Sequence, residues 1–331
     1  MAGNLTLSRE FDILWSSTAP DVMPMLFDNI TARIPLIHWF AEQGRIEMRS
    51  GGFALEKLIY KERLTATGFT GLTNITATVP DPWTRIAYNW KNIAIPFKIP
   101  GTHLLKNSGP AKVFDLIEGL LEAAELSGTE AIGGSTLGVF STADETDETR
   151  ITGLQSVLSA TQTTSGTVGQ LNRSNAFWRQ QVGTAITDFS AHGLSRWRNL
   201  WLNCQRGNET PGMVCATLTQ FSNFLDALTA SLSYNLPVVA SAQRLDVGFP
   251  DVFFLGSKVI HDAGVPASTA YMINGQTAKL IVHEDANLVA EEFQSNLING
   301  EYAVVSALIF SGNLAFTELT RNGVITGGDS D

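Results

Sequence analysis

The residue types best able to do chemistry in this chain are histidines beside acids. His261-Asp262 and His283-Glu284-Asp285 would make a two-histidine, carboxylate-bearing metal site if their strands were neighbours. Single histidines next to acids at strand ends are the commoner arrangement, and His38, His103 and His192 are dispersed. Cys204 and Cys215, separated by ten residues, are too few for a disulfide framework or a metal site. They read as reduced, partly buried thiols of a protein made in a cytoplasm. The acidic run Asp144-Glu145-Thr146-Asp147-Glu148 invites calcium, but its spacing is not that of an EF-hand loop and no glycine stands at the required turn. A solvated loop is the expectation. Lys57, Lys61 and Lys91 are candidate reactive amines, more simply read as the solvated face of a ribbon. Ser135, in Gly133-Gly134-Ser135-Thr136-Leu137, lacks the second glycine of a nucleophile elbow, and the phosphate-loop, dinucleotide and zinc-protease signatures are missing. The acid pairs suit solvated helix faces better than a general acid/base couple. No catalytic residue, cofactor site or metal site is therefore predicted.

The 331 residues allow two or three compact units with a sizeable core. Hydrophobic content is 44% and charged content only 16%, which leaves much neutral surface of the kind that suits permanent contacts. A net charge of −10 argues against phosphate-backbone binding, which needs clustered Lys and Arg. No 18-residue apolar run exists to span a membrane. Met1 to Phe11 lacks the layout of a signal peptide.

The most strongly patterned stretch is Gly51 to Gly128. Arg85, Ala87, Asn89 and Lys91 alternate with Ile86, Tyr88 and Trp90, the period-two signature of a half-buried strand. From Ile93 the apolar set moves to odd positions (Ile95, Phe97, Ile99), which predicts a β-bulge or sharp twist near Asn92. Phe53 to Phe69 is the natural partner strand, and the turn-rich Gly71 to Pro82 closes the hairpin. Arms of about 15 residues would reach roughly 50 Å. An isolated ribbon of that kind is marginal in water, so it needs a surface supplied by something else. Lys112 to Ser127 follows as an amphipathic helix, with Pro110 at its start, Gly128 as its stop and Phe114, Ile117, Leu120, Leu121 and Ala124 as its stripe.

The first 45 residues read as an arm broken by Pro20, Pro24 and Pro35. Its apolar residues, including Phe11 and Trp15, must lie on a partner subunit or strap the chain's own core. Gly128 to Gly169 reads as a Gly/Ser/Thr-rich linker zone. A helix over 186–204 places Trp197 and Trp201 on one face, and a second covers Leu218 to Leu232. Short strands are expected at 237–243, 252–255, 259–262, 271–274 and 278–283, with a tight turn at Gly256-Ser257. Tyr302 to Phe310 and Leu314 to Leu319 read as a hairpin around Ser311-Gly312-Asn313. No fixed-period repeat is present.

Taken in order, these features resemble the major capsid proteins of tailed bacteriophages, of the Hong Kong 97 type. Gly51-Gly52, Ala87-Tyr88-Asn89-Trp90-Lys91, Lys106-Asn107-Ser108-Gly109, Gly153-Leu154-Gln155, Val168-Gly169, Arg173-Ser174, Phe177-Trp178-Arg179, Phe253-Phe254-Leu255-Gly256-Ser257-Lys258-Val259 and Tyr271-Met272-Ile273-Asn274 carry the resemblance. It implies an α+β fold with an N-terminal arm (1–45), an E-loop hairpin (46–101), a peripheral domain with a spine helix (102–150), an axial domain (151–275), and closing peripheral strands with a tail (276–331). It further implies hexamers and pentamers of an icosahedral shell around packaged double-stranded DNA, bound without sequence specificity. Implied partners are other copies of the chain, a separate scaffolding protein, a portal at one vertex and a decoration protein; the chain would be made in the host bacterial cytoplasm and end in the virion. Phe11, Trp15, Trp39, Phe69, Leu72, Trp83, Tyr88 and Trp90 are the expected subunit-interface residues. Because the chain starts almost at the arm, any scaffold is expected to be a separate protein or a segment removed earlier. The acidic balance is expected either to line the inner wall and keep packaged DNA from adhering to it, or to face outward. Some relatives join subunits through a Lys–Asn bond; Lys57 or Lys61 would be the lysine here, but no acidic catalyst or facing asparagine is identifiable and no crosslink is predicted. An encapsulin-like nanocompartment shell and a hydrolase with a triad assembled only in space are the alternatives.

Overall fold

The alternating stretch around Tyr88 belongs to two sheets, not one. In the computed structural model, which describes residues 33–52, 54–62, 66, 68–71, 81–102, 122–124, 126–233, 252–291, 293–296 and 301–328, strand β1 (Ile46–Arg49) precedes a ribbon of β2 (Leu55–Tyr60) and β3 (Trp83–Tyr88). The ribbon's antiparallel register runs from Leu55 opposite Tyr88 to Tyr60 opposite Trp83. Strand β4 (Lys91–Pro100) then leaves it and pairs with β14 (Ala303–Phe316), from Lys91 opposite Gly312 to Pro100 opposite Ala303. The phase slip expected as a bulge near Asn92 is therefore a change of sheet across Asn89 and Trp90. Side chains alternate along each strand, but the inward side of each is set by a different neighbour, and Ala87 is buried as well where β3 meets Gly169.

Further strands follow in order: β5 (Thr167–Val168), β6 (Leu171–Asn172), β7 (Gln181–Val182), β8 (Met213–Ala216), β9 (Val252–Phe254), β10 (Ser257–His261), β11 (Thr269–Ile273), β12 (Ala278–Ala290), β13 (Gln294–Ser295) and, after β14, β15 (Gly323–Thr326). A five-stranded sheet has the order β1-β12-β14-β13, with β4 on the other edge of β14. A six-stranded sheet has the order β7-β15-β11-β8-β10-β9. The expected hairpin around Ser311-Gly312-Asn313 is absent: β14 runs straight through it. Gly312 is there for space, since a Cβ would lie 2.8 Å from the Ile281 carbonyl oxygen and 2.9 Å from the Phe310 ring. Asn313 is fully buried and clamps neighbouring backbone instead of turning the chain. The β9–β10 turn is centred on Leu255 and Gly256, both at positive φ (50° and 88°), one residue earlier than expected and of the kind that suits a two-residue hairpin.

Helix α1 (Pro35–Glu42) has proline at its start and buries Leu36, Ile37, Trp39 and Phe40. Trp39 fits because Gly212 and Gly275 leave room: a Cβ on either would lie within 3.0 Å of its ring. Residues 33–45 thus strap the chain's own core, and the first 32 lie outside the described residues. Of the expected spine helix, residues 103–121 also lie outside. Residues 126–133 are helical, so Gly128 does not stop the helix; it ends at Gly133-Gly134, where a Cβ on Gly133 would meet Ile34 at 2.7 Å. The expected strand over 237–243 lies outside the described residues.

Helix α2 (Phe189–Cys204) is capped by Asp188, whose carboxylate accepts from the Ser190 and Ala191 amides. With α3 (Leu218–Ser233) it covers the six-stranded sheet through a core of Phe189, Trp197, Leu200, Trp201 and Phe224. Trp197 stacks on Phe224 at 5.2 Å and meets the edge of Phe254 at 5.7 Å. The chain crosses between the two sheets at β11–β12 and again at β14–β15, so the last strand, β15, joins the sheet built mainly from 181–273 and not the one holding β12 and β14. Asn322 ties the crossings together. Its Oδ1 accepts from the Asn274 amide at 2.8 Å, and its Nδ2 donates to Thr277 Oγ1 at 2.9 Å and the Glu318 carbonyl at 2.8 Å.

Candidate functional site

The two acid-flanked histidines stand in different sheets. His261 ends β10, where its ring stacks on Phe221 with centroids 6.4 Å apart. His283 lies on β12, packs against Trp90 at 5.1 Å, and accepts the Asp285 amide on Nδ1 at 3.1 Å. The strands that would have to be neighbours for a shared site are therefore not adjacent. Asp262 turns inward, accepting from the Gly264 amide at 2.9 Å and from the Leu36 amide at the start of α1; burial raises its carboxyl above the ordinary range. Among the described residues no group of three or more His, Cys, Asp and Glu converges. Both cysteines are buried, and desolvation pushes the Cys204 thiol up to about 12 and Cys215 well above its usual value. That is opposite to what a nucleophile needs. Ser135 lines an open cleft of about 640 Å3 with Glu130 and Asp262, and among the described residues no histidine lines it.

The lysines divide. Lys61 pairs with Asp81 across the ribbon at 3.2 Å, and Lys57 is exposed. Lys91 is completely buried, contrary to the expected solvated face. The acidic run is the expected loop, with Asp144, Thr146 and Glu148 exposed, but Glu145 turns inward at 6% exposure, and Lys91 Nζ donates to the carbonyls of Glu145 (3.0 Å) and Asp147.

The ribbon has two unlike faces. Leu55, Lys57, Ile59, Thr84, Ile86 and Tyr88 share the face turned to the body, while Leu58, Tyr60, Trp83 and Arg85 share the other. On that outward face Leu58 is 67%, Tyr60 48% and Trp83 56% exposed. Tyr60 and Trp83 pack edge to face at 5.3 Å, and Arg85 pairs with Glu56 at 3.0 Å. Phe69, nearer the tip, is 67% exposed. Of the residues expected at a subunit interface, Phe69 and Trp83 are thus available and Trp90 is half-buried. Trp39 and Tyr88 belong to the chain's own core, and Phe11, Trp15 and Leu72 lie outside the described residues.

No family model matches the sequence, and no curated protein matches it. Solved structures do. A chain of the cyanophage A-1(L) capsid superposes with a TM-score of 0.64 at 14% identity, covering 86% of this chain and 91% of that one. A chain of the capsid of the empty GTA particle reaches 0.52 at 12% identity, covering 86% and 88%. The capsid of Myoviridae phage XM1 gives 0.50 at 15%, covering 86% and 90%. The chain has the α+β fold of phage capsid proteins.

In this capsid fold the ribbon is held at its base by residues that show no catalytic pattern, several of them in the short stretches that carry the resemblance. Asn89, between β3 and β4, donates its amide to Glu145 Oε1, and its carbonyl accepts from Asn313 Nδ2 at 2.8 Å. Glu145 Oε2 accepts from Thr152 Oγ1 at 3.2 Å, and Asn313 Oδ1 accepts the Thr152 amide at 3.0 Å. Tyr88, 1% exposed, donates to the Phe316 carbonyl at 3.0 Å and accepts the Phe316 amide at 3.2 Å. Gly169, at φ 56°, presses on the Tyr88 ring, and its carbonyl accepts the Ala87 amide at 3.1 Å. Arg173, also buried, donates to the carbonyls of Ser156, Val157 and Gln162. One signal for Lys91 was in the sequence: it is the first odd position of the set that Ile93, Ile95, Phe97 and Ile99 continue.

Proposed function

We propose that this chain is the major capsid protein of a tailed bacteriophage, a structural and not a catalytic protein. Copies assemble as hexamers and pentamers into an icosahedral shell around double-stranded DNA, with a scaffolding protein during assembly, a portal at one vertex and a site for decoration. The observation that carries this reading is the outward ribbon face, on which Leu58, Tyr60 and Trp83 stay exposed while the base is locked to the body. Burying about half of two aromatic side chains under a neighbour is worth roughly 4–5 kcal/mol. That is modest for one contact and decisive when a ring of subunits repeats it. The subdomain boundaries expected from the sequence belong to this proposal, amended by the core-bound 33–45 and by β15. Phe69, Leu72, Trp83, Phe11 and Trp15 are the interface residues it retains.

Negative-stain electron microscopy of the purified protein, alone and with its scaffold, tests the reading. Closed uniform shells, or rings of five and six, are expected. A persistent monomer under all conditions would sink it, and shells filled with an enzyme in place of DNA would favour the nanocompartment.

A further inference from the structure

Where the ribbon's inner face meets the five-stranded sheet there is a second cleft, of about 290 Å3. Its floor is apolar, made by Leu55, Ile86, Ile281 and Phe316, and its rim carries Arg49 from β1, Lys57 from β2 and Lys279 from β12. One carboxylate serves two of these cations: Glu47 Oε1 accepts from Arg49 Nη2 at 2.7 Å, and Oε2 lies 3.0 Å from Lys279 Nζ. Glu56, also on the rim, pairs with Arg85 instead. Lys57 forms no ion pair among the described residues. Partial burial, then the nearby charge of Lys279 and, less strongly, that of Arg49, hold its ammonium below the usual lysine range against the pull of Glu47. The cleft is a pocket of excess positive charge on a chain whose net charge is −10. Low-dielectric walls concentrate such a field.

We propose that this cleft binds an oxyanion, a carboxylate or phosphate group held by Lys57 from the ribbon and by Lys279 and Arg49 from the sheet. The bound group bridges ribbon and sheet, so occupancy sets how firmly the ribbon lies on the body. Its source is an acidic side chain of a second copy of the chain or a free phosphate, and both present the same charged oxygens to the same donors. The site is a property of the single subunit, so its test is independent of whether shells form.

The experiment is a titration of the unassembled subunit with inorganic phosphate, against sodium chloride at equal ionic strength, read by calorimetry and by amide hydrogen exchange. Saturable binding is expected, with slowed exchange over 55–60 and 83–88. Lys57→Gln should weaken it by about tenfold or more while leaving the phosphate-free melting temperature unchanged, because Lys57 forms no ion pair with any described residue. Lys279→Gln should weaken it as well, and Arg198→Gln, on the exposed side of α2, should not. Acetate competing at comparable concentration assigns the site to carboxylates; phosphate binding that acetate fails to displace assigns it to phosphate. Equal responses to chloride and phosphate, or unchanged phosphate affinity in Lys57→Gln, overturn the proposal.

Discussion

Lys91 and Glu145 show how a charged residue survives in a core. The ammonium satisfies two backbone carbonyls, while the carboxylate takes a backbone amide and a hydroxyl. Desolvation is the largest influence on Glu145 and raises its carboxyl above the ordinary range, with the Asn89 amide, Lys91 and Thr152 opposing it. The folded chain therefore holds that proton more tightly than the unfolded chain. This residue's contribution to stability is fully present below the unfolded value of about 4.3 and is lost as pH rises through the higher folded value. Glu145→Gln keeps the carbonyl acceptor for Asn89 and removes the titration. Its stability relative to the parent chain should rise with pH from about 4.3 upward, measured by urea unfolding across a pH series. A difference that stays flat or falls would contradict the assignment.

Among elements, β14 carries the most partners: it pairs with β4, β12 and β13. The turn-like Ser311-Gly312-Asn313 sits inside it because β4 and β12, paired to this stretch on its two edges, supply what a turn would otherwise supply. Gly312→Ala should cost about 1–3 kcal/mol through overpacking against Ile281 and Phe310. A glycine in an exposed turn without special φ would lose almost nothing on the same change, so equilibrium unfolding separates the two. The ribbon behaves differently. Its inner face packs Leu55, Ile59, Ile86 and Tyr88 on the body while Leu58, Tyr60 and Trp83 on its outer face stay exposed, so those three side chains add little to the stability of the single chain.

Across the whole molecule, that asymmetry separates folding from assembly. The double change Tyr60→Ser with Trp83→Ser removes only exposed side chains that pack on each other. It should leave the subunit's unfolding free energy within about 1 kcal/mol of the parent and abolish or greatly slow shell formation, seen by sedimentation and electron microscopy. Normal shells from the double variant would remove the ribbon face from the proposal. The two sheets meanwhile act as one body because the chain crosses between them repeatedly and Asn322 bonds to both the β11–β12 and the β14–β15 crossing.

Local periodicity was enough to read the ribbon strands, α2 with its paired tryptophans, α3, and the short strands from 252 to 283, because each depends on which side of an element is apolar. The order of these elements, with short motifs such as Ala87-Tyr88-Asn89-Trp90-Lys91, was enough to point to the phage capsid fold. Partner identity was out of reach, because alternation states that a strand has an inward side without naming the neighbour that creates it. Only the tertiary structure decided that β4 leaves the ribbon for β14, that β14 runs through a turn signal, and that β15 returns to the six-stranded sheet. Burial of polar residues was equally hidden. Lys91, Glu145, Asn313 and Asn322 look like surface residues to any composition rule, since what makes them affordable is a set of backbone donors and acceptors brought from far along the chain. Trp39 and Tyr88 read as contact residues for the same reason in reverse. A large aromatic needs a cover wherever it stands, and here Gly212, Gly275 and Gly169 of the same chain make room for it.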